Sequence, residues 1–341
     1  MKTDRFLRNP AIVLILISWG IYLAGCAGPQ VKAPEEKKQA EVIPAPSFLQ
    51  VVVKPGDTYI SLAAAHLNDP SMDWLIAEFN GTTILTPGQE VIVPLKSYNK
   101  GGLNLTGYQT VPVLSYHNFS ESKASKMNIT AANFEAQMKL IREKGYHVIT
   151  MDRLFEFLQF KTQIPNKSVV ITIDDGWRTA YEIAFPILKK YGYPATLFLY
   201  TDLITGGKKT LSWDLIREMS QNGIDMQGHT KTHRNLSLQG EKEAFKEYYE
   251  SIANEIAEST RVIKEQLNKE VKYLAYPYGD SNRLVVALLR KNGYIGAFTV
   301  QRGGNPFFIA DFAIKRSMIY GDMDLNRFEK NLVTFSKEEF K

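Results

Sequence analysis

The sequence predicts an α/β protein: a mainly parallel sheet covered by helices, open or closed into a barrel, preceded by a small β-α-α-β unit. Three observations carry this. Stretches that read as strands alternate with amphipathic stretches that read as helices over about 230 residues from Val111 onward. The run Val169–Ile173 is almost unbroken apolar and β-branched, too short for a helix and preceded by Pro165, as suits a strand buried on both faces. Residues with chemistry to offer fall just after predicted strands: His117, Asp174, Asp175, His229 and His233. In parallel α/β folds the functional site lies beyond the strands' carboxyl ends.

With 341 residues, 44% hydrophobic and 23% charged, the chain has ordinary globular composition and room for two or three domains. Its net charge of +5 is modest and partly due to Lys2, Arg5 and Arg8, so nothing points to nucleic acid. Those basic residues precede the apolar run Ala11–Leu23, and small residues follow, which reads as an export signal over 1–25. The run is short for a membrane span; a retained anchor helix is the alternative. Leu23-Ala24-Gly25-Cys26 resembles a bacterial lipobox, and the resemblance implies cleavage before Cys26 and attachment to a membrane through lipid on its thiol. Cys26 is the only cysteine, so no intramolecular disulfide and no cysteine metal site can form. Ala27 is not the aspartate associated with inner-membrane retention, so the expected location is the outer membrane, facing the periplasm. Residues 26–47, rich in Pro, Ala, Lys and Glu, read as a tether.

Order is expected from 48. Leu49–Val53 reads as a strand, Asp57 or Thr58 caps a helix running to about Leu67, Asp69–Phe79 forms a second helix, and Thr86–Gln89 turns into the strand Glu90–Pro94. Over 48–95, the segments V-V-V-K-P-G-D-T and L-T-P-G-Q-E-V-I-V-P, with Asn80 between them, resemble a LysM module. The resemblance implies binding of N-acetylglucosamine-containing glycans through Lys54–Asp57 and Thr83–Pro87, although such a unit also serves as a spacer. Residues 96–109, with Gly101, Gly102 and Gly107, read as a second linker.

The large domain is expected over 110–341. Its predicted strands are Val111–Tyr116, His147–Thr150, Val169–Ile173, Ala195–Leu199, Ile224–Gln227, Tyr273–Tyr276 and Ile295–Val300. Between them, Ala131–Lys144, Met151–Phe160, Ala180–Tyr191, Trp213–Asn222, Glu241–Leu267 and Ser281–Asn292 read as helices. His66 and His147 fall inside predicted elements and read as structural.

Asp174 and Asp175 would point to opposite faces of a regular strand, so they converge on one site only if the backbone bends, which Gly176 permits. A solvated Asp-Gly turn is the alternative. His229 and His233 are four apart; on a helical turn both imidazoles face one way and can share a metal ion, while an unliganded surface pair is the alternative. Joined to a carboxylate, the pair makes a two-histidine, one-carboxylate metal site.

Thr172-Ile173-Asp174-Asp175-Gly176, His229-Thr230-Lys231-Thr232-His233 and Ala275-Tyr276-Pro277-Tyr278-Gly279 resemble, in family order, three motifs of the NodB-type polysaccharide deacetylases of carbohydrate esterase family 4. The resemblance extends over most of Val111–Phe335 and implies a distorted seven-stranded (β/α) barrel. It also implies that Asp175, His229 and His233 hold a divalent metal, Zn²⁺ before other first-row ions, and that Asp174 is the general base. The N–H of Tyr278 would bind the oxyanion, since Pro277 has none to give. Two departures stand out: Ala275 occupies the position where an arginine is usual, and no histidine follows His233 to serve as the late general acid.

Val111–His117 is similar to the early strand of the subgroup that deacetylates poly-β-1,6-N-acetylglucosamine, which implies His117 as the acid. Leu211–Asp214 fits the same subgroup and makes Trp213 a wall of the acetyl pocket, with Tyr276 and Pro277 beside it. Arg316 either replaces the missing arginine or is a surface residue. The expected function is metal-dependent hydrolysis of N-acetyl groups from a glucosamine-containing polysaccharide, peptidoglycan or the biofilm polymer. A catalytically impaired glycan-binding envelope lipoprotein is the alternative.

Overall fold

The structure, a computed structural model, describes residues 47–338; the expected export signal, Cys26 and nearly all of the tether lie outside the described residues. Strand β1 (Phe48–Val52) pairs antiparallel with β2 (Glu90–Pro94), and helices α1 (Tyr59–Leu67) and α2 (Asp73–Asn80) lie between them in sequence. Thr58 caps α1 by accepting the Ser61 N–H, as the position of a hydroxyl before an apolar run predicts. Val53, Leu62, Ala63, Ile76, Val91 and Val93 close a small separate core. Asn80 joins α2 to β2, donating to the Ile92 carbonyl at 2.7 Å and accepting its N–H at 2.9 Å.

The expected linker over 96–109 folds instead. Strands β3 (Leu103–Asn104) and β4 (Gly107–Gln109) pair with each other, and β4 pairs with the chain's last strand. Gly107 makes the close approach possible at a φ of +149°, where a side chain would strike the Phe335 ring.

The large domain then builds β5 (Val111–Tyr116), a short pair β6 (Asn118–Ser120) and β7 (Asn128–Thr130), α3 (Ala131–Glu143), β8 (His147–Val148), α4 (Met151–Leu158) and β9 (Ser168–Asp175). It continues with α5 (Phe185–Tyr191), β10 (Ala195–Leu199), α6 (Trp213–Gln221), β11 (Ile224–Gly228), α7 (Phe245–Leu267), β12 (Tyr273–Ala275), α8 (Arg283–Lys291) and β13 (Gly296–Phe298). Strands β14 (Gly304–Asn305) and β15 (Ser317–Met318), helix α9 (Leu325–Glu329) and β16 (Phe335–Lys337) are the last elements among the described residues.

The wall of the domain runs β13-β12-β11-β10-β9-β5, parallel throughout. It curls until its edges meet through one irregular segment: Ile314 bridges Phe298 of β13, and Ser317 and Met318 pair with Leu114 and Ser115 of β5. This segment takes the seventh place in the wall. The expected strand at His147 does not; β8 is two residues long and pairs only with the start of β9.

Side chains alternate across the wall. Val111 and Val113 of β5 and Val170 of β9 face the barrel interior with Phe198, Phe298 and Ile314. Leu114 and Tyr116, and Val169, Ile171 and Ile173, face the helical layer. Both faces are apolar, which is why β9 reads as a continuous hydrophobic run rather than an alternating one.

Candidate active site

The period of two continues to the top of the barrel and places the chemistry. On β9, Thr172 and Asp174 follow Val170 on the interior face; on β5, Ser115 follows Val111 and Val113, and His117 comes next on the same face. Asp174 is thereby buried, with Ser115 Oγ 3.5 Å and His117 Nε2 3.9 Å from its Oδ2. Its other oxygen meets Arg316, whose Nη1 donates to Oδ1 at 2.7 Å. Arg316 is fully buried over the Phe198 ring, and its Nε donates to the Thr299 carbonyl at 3.1 Å. Burial pushes the Asp174 carboxyl up, but the charge of Arg316, helped by His229 and His117, outweighs it and holds the group at about 2.

Asp175 would point outward if β9 continued. It turns instead at a φ of +82°, followed by Gly176 at +120°, so the bend begins one residue before the glycine expected to carry it. Its Oδ2 accepts the Trp177 indole N–H at 2.9 Å, and its Oδ1 lies 3.6 Å from both His229 Nε2 and His233 Nε2.

The two histidines do not share a helical turn. They lie on the loop after β11, in which Thr230 and His233 both have left-handed backbone, at φ of +70° and +67°. Such conformations are unfavourable for these residues unless the surroundings fix them. Glu255 of α7 does so: its carboxylate accepts the Lys231 and Thr232 N–H groups at 3.0 and 2.8 Å and the Thr232 hydroxyl at 2.7 Å. His229 Nδ1 lies 2.7 Å from the Ala275 carbonyl, so it carries the proton and leaves Nε2 as a free donor atom. Burial pushes the His229 pKa down, favouring the neutral imidazole that metal binding needs.

One carboxylate oxygen and two imidazole nitrogens, all within 4.8 Å of one another, thus converge, with the second oxygen of Asp175 and the second ring nitrogen of His229 already engaged. The donor set fits a divalent ion of the zinc type with positions left for other ligands.

Tyr278 stands beside this cluster at a φ of +61°, its ring edge-on to His233 at 5.0 Å, while Pro277 is buried beneath. Tyr276 is not at the site surface: it is fully buried and its hydroxyl donates to the Phe312 carbonyl at 3.1 Å, which corrects its expected place in the pocket wall. Trp213 is half-buried at the start of α6 and packs on the main core. The indole that touches a candidate ligand residue is that of Trp177, which the motif reading missed although it lies two residues from Asp175. Glu255 was missed too; its signal is a carboxylate on the core-facing stripe Ile252, Ile256, Ser259 and Ile263 of α7. His147 is among the residues lining a cavity between α2 and the start of β9.

Comparison with known proteins gives the same class as fold and site. A family model described as polysaccharide deacetylase matches residues 161–297. The chain is 30% identical over 213 residues to the poly-beta-1,6-N-acetyl-D-glucosamine N-deacetylase of Staphylococcus aureus (strain MRSA252), covering 60% of this chain and 72% of the relative. It is 31% identical over 193 residues to YxkH of Bacillus subtilis (strain 168), which bears the family's name; here 57% of this chain and 65% of the relative are covered, just under two thirds of that protein's length. Among solved structures, the Streptococcus pyogenes deacetylase PplD in complex with acetate superposes with a TM-score of 0.60 at 23% identity, covering 67% of this chain and all of that one. The chain belongs to the polysaccharide deacetylase family.

Proposed function

We propose that the protein hydrolyses N-acetyl groups on an N-acetylglucosamine-containing polysaccharide with the help of a divalent metal held by Asp175, His229 and His233. The observation that carries this reading is the convergence of those three donor sets beside a buried, ionised Asp174 that faces His117. A divalent ion bound there supplies Lewis acidity, polarising the acetamide carbonyl and lowering the pKa of a water toward about 7.

Asp174 takes the proton from the attacking water as its oxygen bonds to the carbonyl carbon. The Arg316 charge keeps Asp174 ionised near neutrality and so able to accept that proton. Arg316 and Ser115 hold its two oxygens in place. The Tyr278 N–H is assigned to the oxyanion. His117 gives its proton to the nitrogen as the C–N bond breaks, leaving acetate and a glucosamine. In this scheme Arg316 does the work of the arginine absent at Ala275, and His117 that of the absent late histidine.

Relatives named for poly-β-1,6-N-acetylglucosamine deacetylation and the early His117 strand favour that polymer; the LysM-like unit favours peptidoglycan, binding glycan through Lys54–Asp57 and Thr83–Pro87. We further assign Zn²⁺ as the metal, and lipid on Cys26 as an anchor that keeps the enzyme at the cell envelope, in the outer membrane and facing the periplasm.

The test is acetate release from each polymer, with metal content measured alongside. Asp175→Asn and His233→Ala should lose metal and activity together, whereas Asp174→Asn and His117→Ala should keep the metal and lose turnover. A wild type that binds no metal and releases no acetate would favour the glycan-binding alternative.

A further inference from the structure

A cavity of about 400 Å³ opens at the same end of the barrel, on the side where the closing segment meets β13. Its walls carry Arg302, Arg327 and Lys330; Met318, Tyr320 and Met323 supply apolar surface. Two links tie it to the catalytic residues. Val300, also in its lining, directly follows Thr299, whose carbonyl accepts Arg316, and packs over Gly279: a Cβ there would lie 2.7 Å from the Val300 nitrogen. On the opposite wall, Met318 pairs with Ser115, the residue at Asp174 and two before His117.

The charge of this cavity is one-sided. No carboxylate lines it. Arg327 is 3.8 Å from Asp322, both well exposed, an arrangement that contributes little in water. Arg302 donates to the Lys330 carbonyl at 3.2 Å, and among the described residues neither Arg302 nor Lys330 forms an ion pair. A neutral N-acetylated polymer makes no use of three cations lining one cavity, and a deacetylated glucosamine unit, being an ammonium, is repelled by them. An anion carried on the glycan is what they fit, and arginine is the side chain suited to holding a carboxylate or phosphate.

We propose that this cavity is a subsite for an anionic substituent, carboxylate or phosphate, on a sugar neighbouring the N-acetyl group that is hydrolysed. The proposal rests on the deacetylase reading and narrows its substrate to an acid-bearing aminosugar polymer.

The experiment is equilibrium binding to the intact protein of three disaccharides: N-acetylglucosaminyl-N-acetylmuramic acid, its methyl ester and a 6-phosphorylated N-acetylglucosamine disaccharide. Acetate release from a neutral chitooligosaccharide is measured in parallel. Wild type should bind the free acid about tenfold more tightly than the ester at low salt, with the preference shrinking as ionic strength rises. Arg302→Gln combined with Lys330→Gln should abolish the preference and leave turnover of the neutral oligomer unchanged. Tighter binding of the phosphorylated disaccharide than of the acid would assign the anion as phosphate. Equal binding of acid and ester, or a preference that survives the double substitution, overturns the subsite. Loss of the deacetylase reading shows separately, as a wild type that prefers the acid yet releases no acetate.

Discussion

Replacing Arg316 with Met tests the electrostatic heart of the site without touching a metal donor. Arg316 and Asp174 are both buried, at 0% and 2% side-chain exposure, and meet at 2.7 Å. Removing one member of such a pair leaves an uncompensated charge in the interior, which destabilises by about 3–5 kcal/mol. The Thr299 carbonyl loses a donor as well, so the upper half of that range is expected. At about 2–4 °C per kcal/mol for a domain of this size, melting should fall by roughly 10–20 °C. Measured in chelator, the melt is free of metal linkage. Asp174→Asn combined with Arg316→Met removes both charges and should recover at least about 2 kcal/mol relative to Arg316→Met alone, while acetate release stays abolished in both. Lys264→Met, which breaks the exposed pair with Glu270, is the control and should shift stability by less than about 0.5 kcal/mol. If Arg316→Met melts within about 2 °C of wild type, or the double variant is no more stable than the single, Arg316 is not the counter-charge of Asp174.

Trp177→Phe removes the indole N–H that fixes Asp175 and should weaken metal affinity by about 10- to 100-fold with the fold retained, as read by chelator competition. Glu255→Gln keeps the shape but loses the charge that accepts two loop amides; it should loosen the His229–His233 loop and weaken metal binding, with unchanged circular dichroism as the check that the effect is local. Glu78, which accepts the Asn166 N–H at 2.8 Å, has its carboxyl pushed up by burial from 4.5 to about 7. The folded state therefore binds this proton more tightly than the unfolded one. The stability this proton contributes is fully present below pH 4.5 and is lost as pH rises to about 7, and Glu78→Gln should flatten that slope in melts taken between pH 5 and 8. A wild-type slope that persists in Glu78→Gln would assign it to another group.

What the sequence made legible follows from how locally each feature is encoded. Strands such as Val111–Tyr116 and Ala195–Leu199 were readable to the residue because burial on both faces leaves continuous apolar runs. The closing segment around Ile314–Met318 carries only two residues of regular strand, so no periodicity announced it. Arg316 was consequently legible only as one of two alternatives, a replacement for the missing arginine or a surface residue, until the barrel's curvature brought it onto Asp174. The 96–109 stretch misled for a related reason: its glycines looked like a flexible linker but permit close packing against a strand more than 220 residues away in sequence. The histidine pair was legible as a pair and misread as a helical turn, because the loop's left-handed residues are stabilised by Glu255 from a distant helix rather than by their own propensity. Donor identity was thus local information, whereas donor geometry was written elsewhere in the chain. Asp174 and Asp175 show the division at its narrowest. The two neighbours differ in placement because one keeps the strand's inward alternation beside Arg316, and the other leaves it at a single left-handed residue.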